Sequence, residues 1–180
     1  FGVMSIDKKD FKHGTTRQLG AIVLHDEEVL VYLTQDAILL DPGALERLLS
    51  AFADPSVAAA YGRQLSRPKA PPIEAHARSF NYPAKSHLQT LESRRELGLK
   101  AIFISNSFAG YRRSALMAVG EFPAAVLFGE ATVTAAKLLL AGWKIAYVAE
   151  AKVYHSHSYT LMQEFRRYFD IGALHAMEGW

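Results

Sequence analysis

Apolar runs alternate with amphipathic segments along this chain. Continuous apolar runs with β-branched and aromatic members predict buried strands, here at 2–6, 29–33, 57–62, 101–104 and 144–148, with an extended continuation at 151–154. Apolar positions at helical spacing predict helices from 15 or 16 to 24 and over 45–52, 113–119, 132–140 and 161–175. Because strands and helices alternate, the pattern favours an α/β fold with a mostly parallel sheet flanked by helices.

The segment 66–87 interrupts this pattern. It carries four prolines among basic residues and predicts a basic, Pro-rich stretch, either a long loop or a broken helix. The last predicted helix, 161–175, is amphipathic and rich in aromatic residues and arginines. The two segments together would allow peripheral contact with a membrane. No apolar run approaches the roughly 20 residues that a membrane span needs.

Composition narrows the function classes. The chain has 180 residues, enough for one domain, and a formal net charge of +2, which does not favour nucleic acid as a partner. The absence of cysteine excludes disulfides and thiolate metal sites and allows a cytoplasmic location. The first residues, FGVMSI, have neither an initiator Met nor a signal-peptide pattern, so we expect a fragment of a longer protein.

A carboxylate lies between two apolar runs in LVYLTQDAILL, residues 30–40. In open α/β sheets, ligands bind beyond the carboxyl ends of the strands. The strand at 29–33 ends at Thr34-Gln35-Asp36, so Asp36 is predicted to emerge into that crevice. A carboxylate there suits Mg²⁺ or Mn²⁺. The alternative is a turn or cap aspartate without a ligand.

A second group of polar residues flanks the strand predicted at 144–148 and its continuation at 151–154. Glu130 precedes a helix, where the helix dipole alone would also favour an acid. His155 and His157 follow the strand at positions i and i+2, so on an extended segment both face the same side. Neutral imidazole is a common metal ligand, although either histidine could instead only hydrogen-bond a loop.

Six segments carry a resemblance when taken in order: HGTTRQ, LTQDA, NSFAGYRRSAL, GEF, GEATVTAAKLLLAGWKI and VYHSHSYT. The chain resembles the family 2 glycosyltransferases, and within them the rhamnosyltransferase-like group that builds bacterial surface polysaccharides. The resemblance implies a GT-A fold, a Rossmann-like domain that binds a nucleotide-sugar. It also implies that the first nucleotide-binding strands are missing before Phe1, so residues 1–180 would form a partial catalytic domain. An exposed sheet edge would then favour self-association into a homo-oligomer.

The same resemblance implies roles for individual residues. Asp36 would bind the metal and the donor diphosphate, with His155 as the first and His157 as the second additional metal ligand. Arg17 and Gln35 would lie on the donor side, where Arg17 contacts phosphate or holds the metal-motif loop. The acceptor side would include Asn106, Ser107 and Arg112. Ordinary turn and surface roles are the alternatives for the donor-side and acceptor-side residues.

The family's Glu-Asp pair reads Glu130-Ala131 here, which leaves Glu130 as the expected general base. The implied function is metal-dependent, inverting transfer of a sugar, with dTDP-rhamnose as the expected donor and UDP- or GDP-sugars as alternatives. The acceptor would be a saccharide or a lipid-linked saccharide, used in the cytoplasm or at the inner face of the cell membrane. Because of Ala131, a non-catalytic sugar- or nucleotide-binding module is the alternative. The sequence contains no GxGxxG or P-loop motif, which argues against an unrelated Rossmann-like nucleotide-binding protein.

Overall fold

The computed structural model describes residues 2–124, 126, 129–155, 157 and 159–180, so the motif VYHSHSYT is described except at Ser156 and Ser158. The helices are α1 (His13–Val23), α2 (Ala44–Leu49), α3 (Pro72–Asn81), α4 (Arg94–Leu97), α5 (Arg113–Ala118), α6 (Glu130–Leu140) and α7 (Leu161–Met177). The strands are β1 (Val29–Leu33), β2 (Ile38–Leu39), β3 (Val57–Leu65), β4 (His87–Gln89), β5 (Phe108–Arg112) and β6 (Lys144–Tyr154). Short 3₁₀ helices span Ser50–Ala53 and Gly98–Ile102.

All the strands of the described residues form one sheet in the order β1-β5-β3-β6-β2, with β4 also paired to β6. The predicted α/β fold with flanking helices is confirmed. The predicted parallel majority is wrong, because only the β3–β6 pair is parallel and the other strand pairs of the described chain are antiparallel. Two of the four antiparallel pairs involve β5, whose FAGYR sequence contains a glycine and an arginine and does not read as a buried strand. The other two join the short strands β2 and β4 to β6.

Three strands of this mixed sheet nevertheless run in the same direction. β5 is antiparallel to both β1 and β3, and β3 is parallel to β6, so β1, β3 and β6 all point the same way. Their carboxyl ends therefore meet at one edge of the sheet. This edge is where the sequence places its candidate ligands, as expected for an α/β sheet.

Two predicted strands are not formed. The first two residues of the segment 101–104 belong to the 3₁₀ helix Gly98–Ile102, and the next strand begins only at Phe108. The segment 2–6 is largely exposed and is not a strand. A strand exists only through pairing of its backbone N–H and C=O groups, and 2–6 pairs with none of the strands in the described part of the chain.

The Pro-rich segment 66–87 is not one long loop. Ten of its residues form α3, which begins at Pro72, so the broken-helix alternative is the correct one. Proline suits the first helical position because its missing N–H has no intrahelical partner there. One of the segment's basic residues, Arg78, is buried on α3 and donates from Nε to the carbonyl oxygen of His155 at 2.8 Å. The segment therefore contributes to the site edge of the sheet.

Two hydrophobic clusters cover the two faces of the sheet. The larger holds residues of α1, α5 and α6 and includes Tyr61, Tyr111 and Tyr147. The smaller holds Ala44 and Leu48 of α2 against residues of β3 and β6. The β3–β6 register shifts after Gly62, and a side chain at this position would place its Cβ 2.5 Å from the carbonyl oxygen of Ala151. Glycine is therefore required for this close contact.

The C-terminal helix α7 begins directly after the site-bearing segment. A capping box formed by Thr160 and Gln163 starts it, and it extends to Met177, two residues beyond the predicted end at 175. Leu174 is its buried residue, whereas Leu161, Phe165 and Phe169 are 72%, 66% and 68% exposed. These three residues are four apart, so α7 presents an apolar stripe to solvent.

Candidate active site

Asp36, His155 and His157 lie together at the carboxyl ends of β1 and β6. Their ligand atoms are all within 4.8 Å of one another. The Asp36 Oδ2 atom is 3.4 Å from His155 Nε2 and 3.7 Å from His157 Nδ1. The three side chains thus present one carboxylate and two imidazoles to a common point, so the predicted proximity of these residues is present in the structure.

The local backbone explains how Asp36 reaches this point. The chain leaves β1 and makes a turn in which the Ala37 N–H donates to the carbonyl oxygen of Thr34 at 3.0 Å. Arg67 then donates from Nη2 to the Asp36 carbonyl oxygen at 2.8 Å. The turn directs the carboxylate toward the histidines, and β2 begins immediately afterwards at Ile38. The carboxylate between two apolar runs therefore lies in a turn that separates two strands.

Protonation states favour ligation. Burial, opposed only in part by the Asp36 carboxylate, lowers the pKa of His155 to about 4, so this imidazole is neutral at neutral pH. Burial also raises the pKa of Asp36, but nearby polar groups and the two imidazoles lower it, and the resulting pKa lies below its ordinary value. A neutral imidazole and an ionised carboxylate are the forms that bind divalent metals.

His155 is held on several sides, and Gln64, one of the residues that hold it, was not singled out in the sequence. Its Nδ1 lies 2.9 Å from Gln64 Oε1, and its Nε2 lies 3.3 Å from Ser107 Oγ. Gln64 also donates from Nε2 to Ser105 Oγ at 2.8 Å. Gln64 is a polar residue near the end of a strand whose other residues are mostly apolar, and it is only 3% exposed. Buried polar residues are almost always hydrogen-bonded, so a glutamine in an apolar strand is the sequence signal that could have identified Gln64.

Glu130 is the centre of a second buried group. It is the first residue of α6 and is 6% exposed. Its carboxylate pairs with the guanidinium of Arg17, and its Oε1 accepts a hydrogen bond from Asn106 Nδ2 at 3.2 Å. Asn106 Oδ1 accepts in turn from the hydroxyl of Tyr111 at 2.7 Å. Burial raises the pKa of Tyr111 well above its ordinary value, so this phenol remains a donor.

The two groups are joined by consecutive residues. Asn106 contacts Glu130, and Ser107, the next residue, contacts His155. Both precede β5, which begins at Phe108 opposite the last residue of β1. Asn106 and Ser107 were predicted on the acceptor side. The structure places them between the predicted base and the predicted metal ligands.

The remaining predicted residues have different surroundings. Arg17 contacts Glu130, although the sequence suggested a phosphate or the metal-motif loop as its partner. Gln35 is exposed in the turn before Asp36. Arg112 pairs with Val29 at the opposite end of β1 and β5, where it contacts Glu28 and the backbone carbonyls of Phe52 and Val57. These contacts tie the sheet to the segment after α2 and keep Arg112 away from Asp36.

Replacing Arg17 by methionine is expected to destabilise the fold by about 3–5 kcal/mol, because it leaves the buried Glu130 carboxylate without its counter-charge. The double variant Arg17→Met, Glu130→Gln is expected to recover a large part of that loss. Urea unfolding of the four members of the cycle measures the coupling. Lys144→Met serves as the control, since it removes a half-exposed ion pair with Asp54 and should cost only about 0–1 kcal/mol. A cost below about 1 kcal/mol for Arg17→Met would contradict a buried Arg17–Glu130 pair.

The arrangement has the parts of a group-transfer site. One carboxylate and two imidazoles could hold a divalent cation, and a buried carboxylate next to it could accept a proton. The two groups lie at the same edge of the sheet, joined through residues 106 and 107.

Sequence comparison identifies the family. The profile described as Glycosyl transferase family group 2 matches residues 29–168. The chain is 47% identical over 178 residues to the O-antigen chain rhamnosyltransferase RfbN of Salmonella typhimurium, covering 99% of this chain and 57% of that protein. It is 46% identical over 178 residues to the O-antigen chain rhamnosyltransferase WbaN of Salmonella anatum, covering 99% and 56%. The chain thus spans slightly more than half the length of these relatives.

Structural comparison gives the same fold. A mannosyltransferase from Pyrobaculum calidifontis, solved in complex with GDP-Man and Mn²⁺, is similar with a TM-score of 0.55 and 19% sequence identity. The similarity covers 82% of this chain and 37% of the mannosyltransferase. It supports the predicted GT-A fold and, at this identity, the fold alone. The family profile, which matches most of the chain, shows that the chain belongs to glycosyl transferase family group 2.

Proposed function

We propose that this domain carries out metal-dependent, inverting transfer of a sugar from a nucleotide-sugar to a saccharide acceptor. The observation that carries the proposal is the position of Asp36, His155 and His157 at one sheet edge, joined through Asn106 and Ser107 to the buried Glu130. The family of the chain and the names of its relatives support the same reaction class. A fold shared with many functions would not by itself support it.

The donor set fits a divalent metal and favours Mn²⁺ over Mg²⁺. Mg²⁺ prefers oxygen ligands in near-ideal octahedral geometry, whereas this site offers two imidazole nitrogens and one carboxylate. His155 is neutral at neutral pH, which leaves a nitrogen lone pair for the metal. When bound, the cation would offset the negative charge of the leaving nucleoside diphosphate. Asp36 and His155 are the residues proposed to hold it, with His157 as the third ligand.

The proposed role of the second group is proton transfer. The acceptor hydroxyl oxygen forms a bond to the anomeric carbon as the bond from that carbon to the diphosphate oxygen breaks. The diphosphate departs with the bonding electrons, and the hydroxyl proton passes to the Glu130 carboxylate. Arg17 and Asn106 hold this carboxylate in place.

The donor is proposed to be dTDP-rhamnose, because both named relatives are rhamnosyltransferases. The acceptor is proposed to be a growing saccharide carried on a lipid. The test is to incubate the protein with dTDP-rhamnose, UDP-sugars and GDP-sugars in turn, with Mn²⁺ or with EDTA, and to measure release of the nucleoside diphosphate. We expect release from dTDP-rhamnose that EDTA abolishes. Equal release with EDTA would contradict metal dependence, and release only from another donor would correct the sugar assignment.

We further propose that α7 attaches the domain to the inner face of the cell membrane, near a lipid-linked acceptor. None of the helices in the described ranges is long and apolar enough to cross a bilayer. The exposed stripe of Leu161, Phe165 and Phe169, with Arg166 beside it, is suited to lying in the interface instead.

The double variant Phe165→Ser, Phe169→Ser is therefore expected to weaken binding to vesicles of mixed zwitterionic and anionic lipids by more than about tenfold, since burying one Phe contributes about 1.5–3 kcal/mol. Co-sedimentation measures the effect. Leu140→Ser, which removes a similarly exposed residue of α6, is the control and should change nothing. If the wild-type chain does not sediment with vesicles but forms dimers that the double variant abolishes, the stripe is a homo-oligomer contact and the membrane proposal is wrong.

A further inference from the structure

We infer that Gln64 is a positioning residue that keeps His155 in the tautomer with its proton on Nδ1, so that the Nε2 lone pair remains available to a metal. The inference rests on the proposed function, because it concerns the same metal site. Gln64 lies on β3, outside every motif that carries the family resemblance. Its carboxamide contacts His155 and Ser105 and is almost fully buried.

Four side chains form a closed ring of hydrogen bonds around this site. The amide of Gln64 donates to Ser105 Oγ at 2.8 Å, and Ser105 Oγ donates to Ser107 Oγ at 3.3 Å. Ser107 Oγ lies 3.3 Å from His155 Nε2, and His155 Nδ1 lies 2.9 Å from Gln64 Oε1. When every member donates to the next one, the Ser107 hydroxyl points its proton at Nε2, and Nδ1–H donates to Gln64.

The direction of the ring decides whether the metal site works. In the direction described, Nε2 carries a lone pair and lies 3.4 Å from Asp36 Oδ2. A metal that binds this lone pair has only to replace the hydrogen bond from the Ser107 hydroxyl. In the opposite direction the Gln64 carboxamide is reversed and Nε2 carries a proton, which excludes metal binding at that atom. The carbonyl oxygen of Gln64 facing Nδ1 therefore selects the competent tautomer. Metal-binding histidines commonly have their other ring nitrogen fixed in this way.

Two further hydrogen bonds hold the backbone of His155 independently of the ring. The His155 N–H donates to the Leu65 carbonyl oxygen at 3.1 Å, and its own carbonyl accepts from Arg78. Loss of Gln64 would therefore leave the backbone at His155 in position, while the imidazole would no longer be restricted to one tautomer. This separates a positioning role from a purely structural one.

Two variants test the inference. Gln64→Met removes both hydrogen bonds at similar volume and is expected to weaken Mn²⁺ binding by about 10–100-fold, the usual effect of losing an outer partner of a metal ligand. Gln64→Glu keeps an acceptor opposite Nδ1 and is expected to retain Mn²⁺ affinity within about threefold of the wild type, because a carboxylate fixes the same tautomer. Gln89→Met is the matched control. Gln89 is equally buried in the same sheet but donates to the carbonyls of Lys100 and Phe103.

The measurement is ¹⁵N NMR of the metal-free protein labelled at histidine, with His155 assigned from a His155→Asn variant, followed by Mn²⁺ titration of each protein by electron paramagnetic resonance. We expect the Nδ1–H tautomer in the wild type, in Gln64→Glu and in Gln89→Met, and a mixture of tautomers in Gln64→Met. An Nε2–H tautomer in the wild type would overturn the inference about Gln64 but not the proposed metal site. Unchanged Mn²⁺ affinity in Gln64→Met would do the same. If the wild type binds no Mn²⁺, the proposed metal site fails and this role fails with it.

Discussion

Replacing Asp36 by alanine is expected to lower the affinity of the protein for Mn²⁺ by more than about 100-fold, because loss of even an outer partner of a ligand costs about 10–100-fold and Asp36 is a direct ligand in this account. Asp36 is also the one anionic member of the Asp36, His155 and His157 group. Its pKa lies below the ordinary value, so the carboxylate is ionised throughout the neutral range. Its removal leaves two imidazole ligands without an anionic partner, and these attract a divalent cation more weakly.

Isothermal titration with Mn²⁺ measures this effect directly. Asp41→Ala is the control, since Asp41 lies on the same segment and carries the same charge but pairs with Arg47. We expect Asp41→Ala to bind Mn²⁺ as the wild type does. The loss of Mn²⁺ affinity in His155→Ala should be closer to that in Asp36→Ala than the loss in His157→Ala is, because His157 is the more exposed of the two histidines. Equal Mn²⁺ affinity in the wild type and Asp36→Ala would contradict the ligand assignment.

Replacing Glu130 by glutamine is expected to reduce turnover by about 10²–10⁴-fold, the usual contribution of a general base. Glutamine has nearly the same shape and keeps an oxygen for the Asn106 hydrogen bond, but it cannot accept the acceptor's proton. Donor binding should change little, so the loss should appear in kcat more than in the KM for the nucleotide-sugar. A variant with wild-type kcat would show that Glu130 is not the base.

The variant Ala131→Asp distinguishes a catalytic domain from a non-catalytic sugar- or nucleotide-binding module. Ala131 is part of the larger hydrophobic cluster and is 6% exposed. A carboxylate there would be buried among apolar side chains, so we expect no gain in turnover and a loss of about 1–3 kcal/mol in stability. A large gain in turnover would instead mean that the base belongs at 131. Absence of turnover in both the wild type and Ala131→Asp would favour the sugar- or nucleotide-binding alternative.

Much of the fold and part of the site could be predicted from the sequence because they depend on local patterns. The apolar run of β1 and the period of α6 and α7 reflect burial of one strand or one helix face. The proximity of Asp36 to His155 and His157 follows from two strands that end at the same edge. The roles assigned to these residues, however, stay predictions until they are measured.

The rest depends on contacts between segments far apart in the chain. β5 contains Gly110 and Arg112 and becomes a central strand only because β1 and β3 pair on both of its edges. The Arg17–Glu130 pair joins residues 113 positions apart, and Gln64 reaches His155 across 91 positions. No local pattern encodes such pairs. A buried polar residue in an apolar strand signals only that some partner exists.

The most direct test of the account is a thermal-unfolding titration of the chain with Mn²⁺, with dTDP, and with both together, repeated on Asp36→Ala. Ligands that bind the folded state at about 100 times Kd stabilise it by about 2.7 kcal/mol, which in a domain of this size raises Tm by about 5–11 °C. We predict that dTDP raises the Tm of the wild type by this amount only when Mn²⁺ is also present, beyond the shift given by Mn²⁺ alone, and that dTDP gives no such shift for Asp36→Ala. A dTDP shift that does not need Mn²⁺, or an equal shift in Asp36→Ala, would contradict a metal-dependent diphosphate site at Asp36.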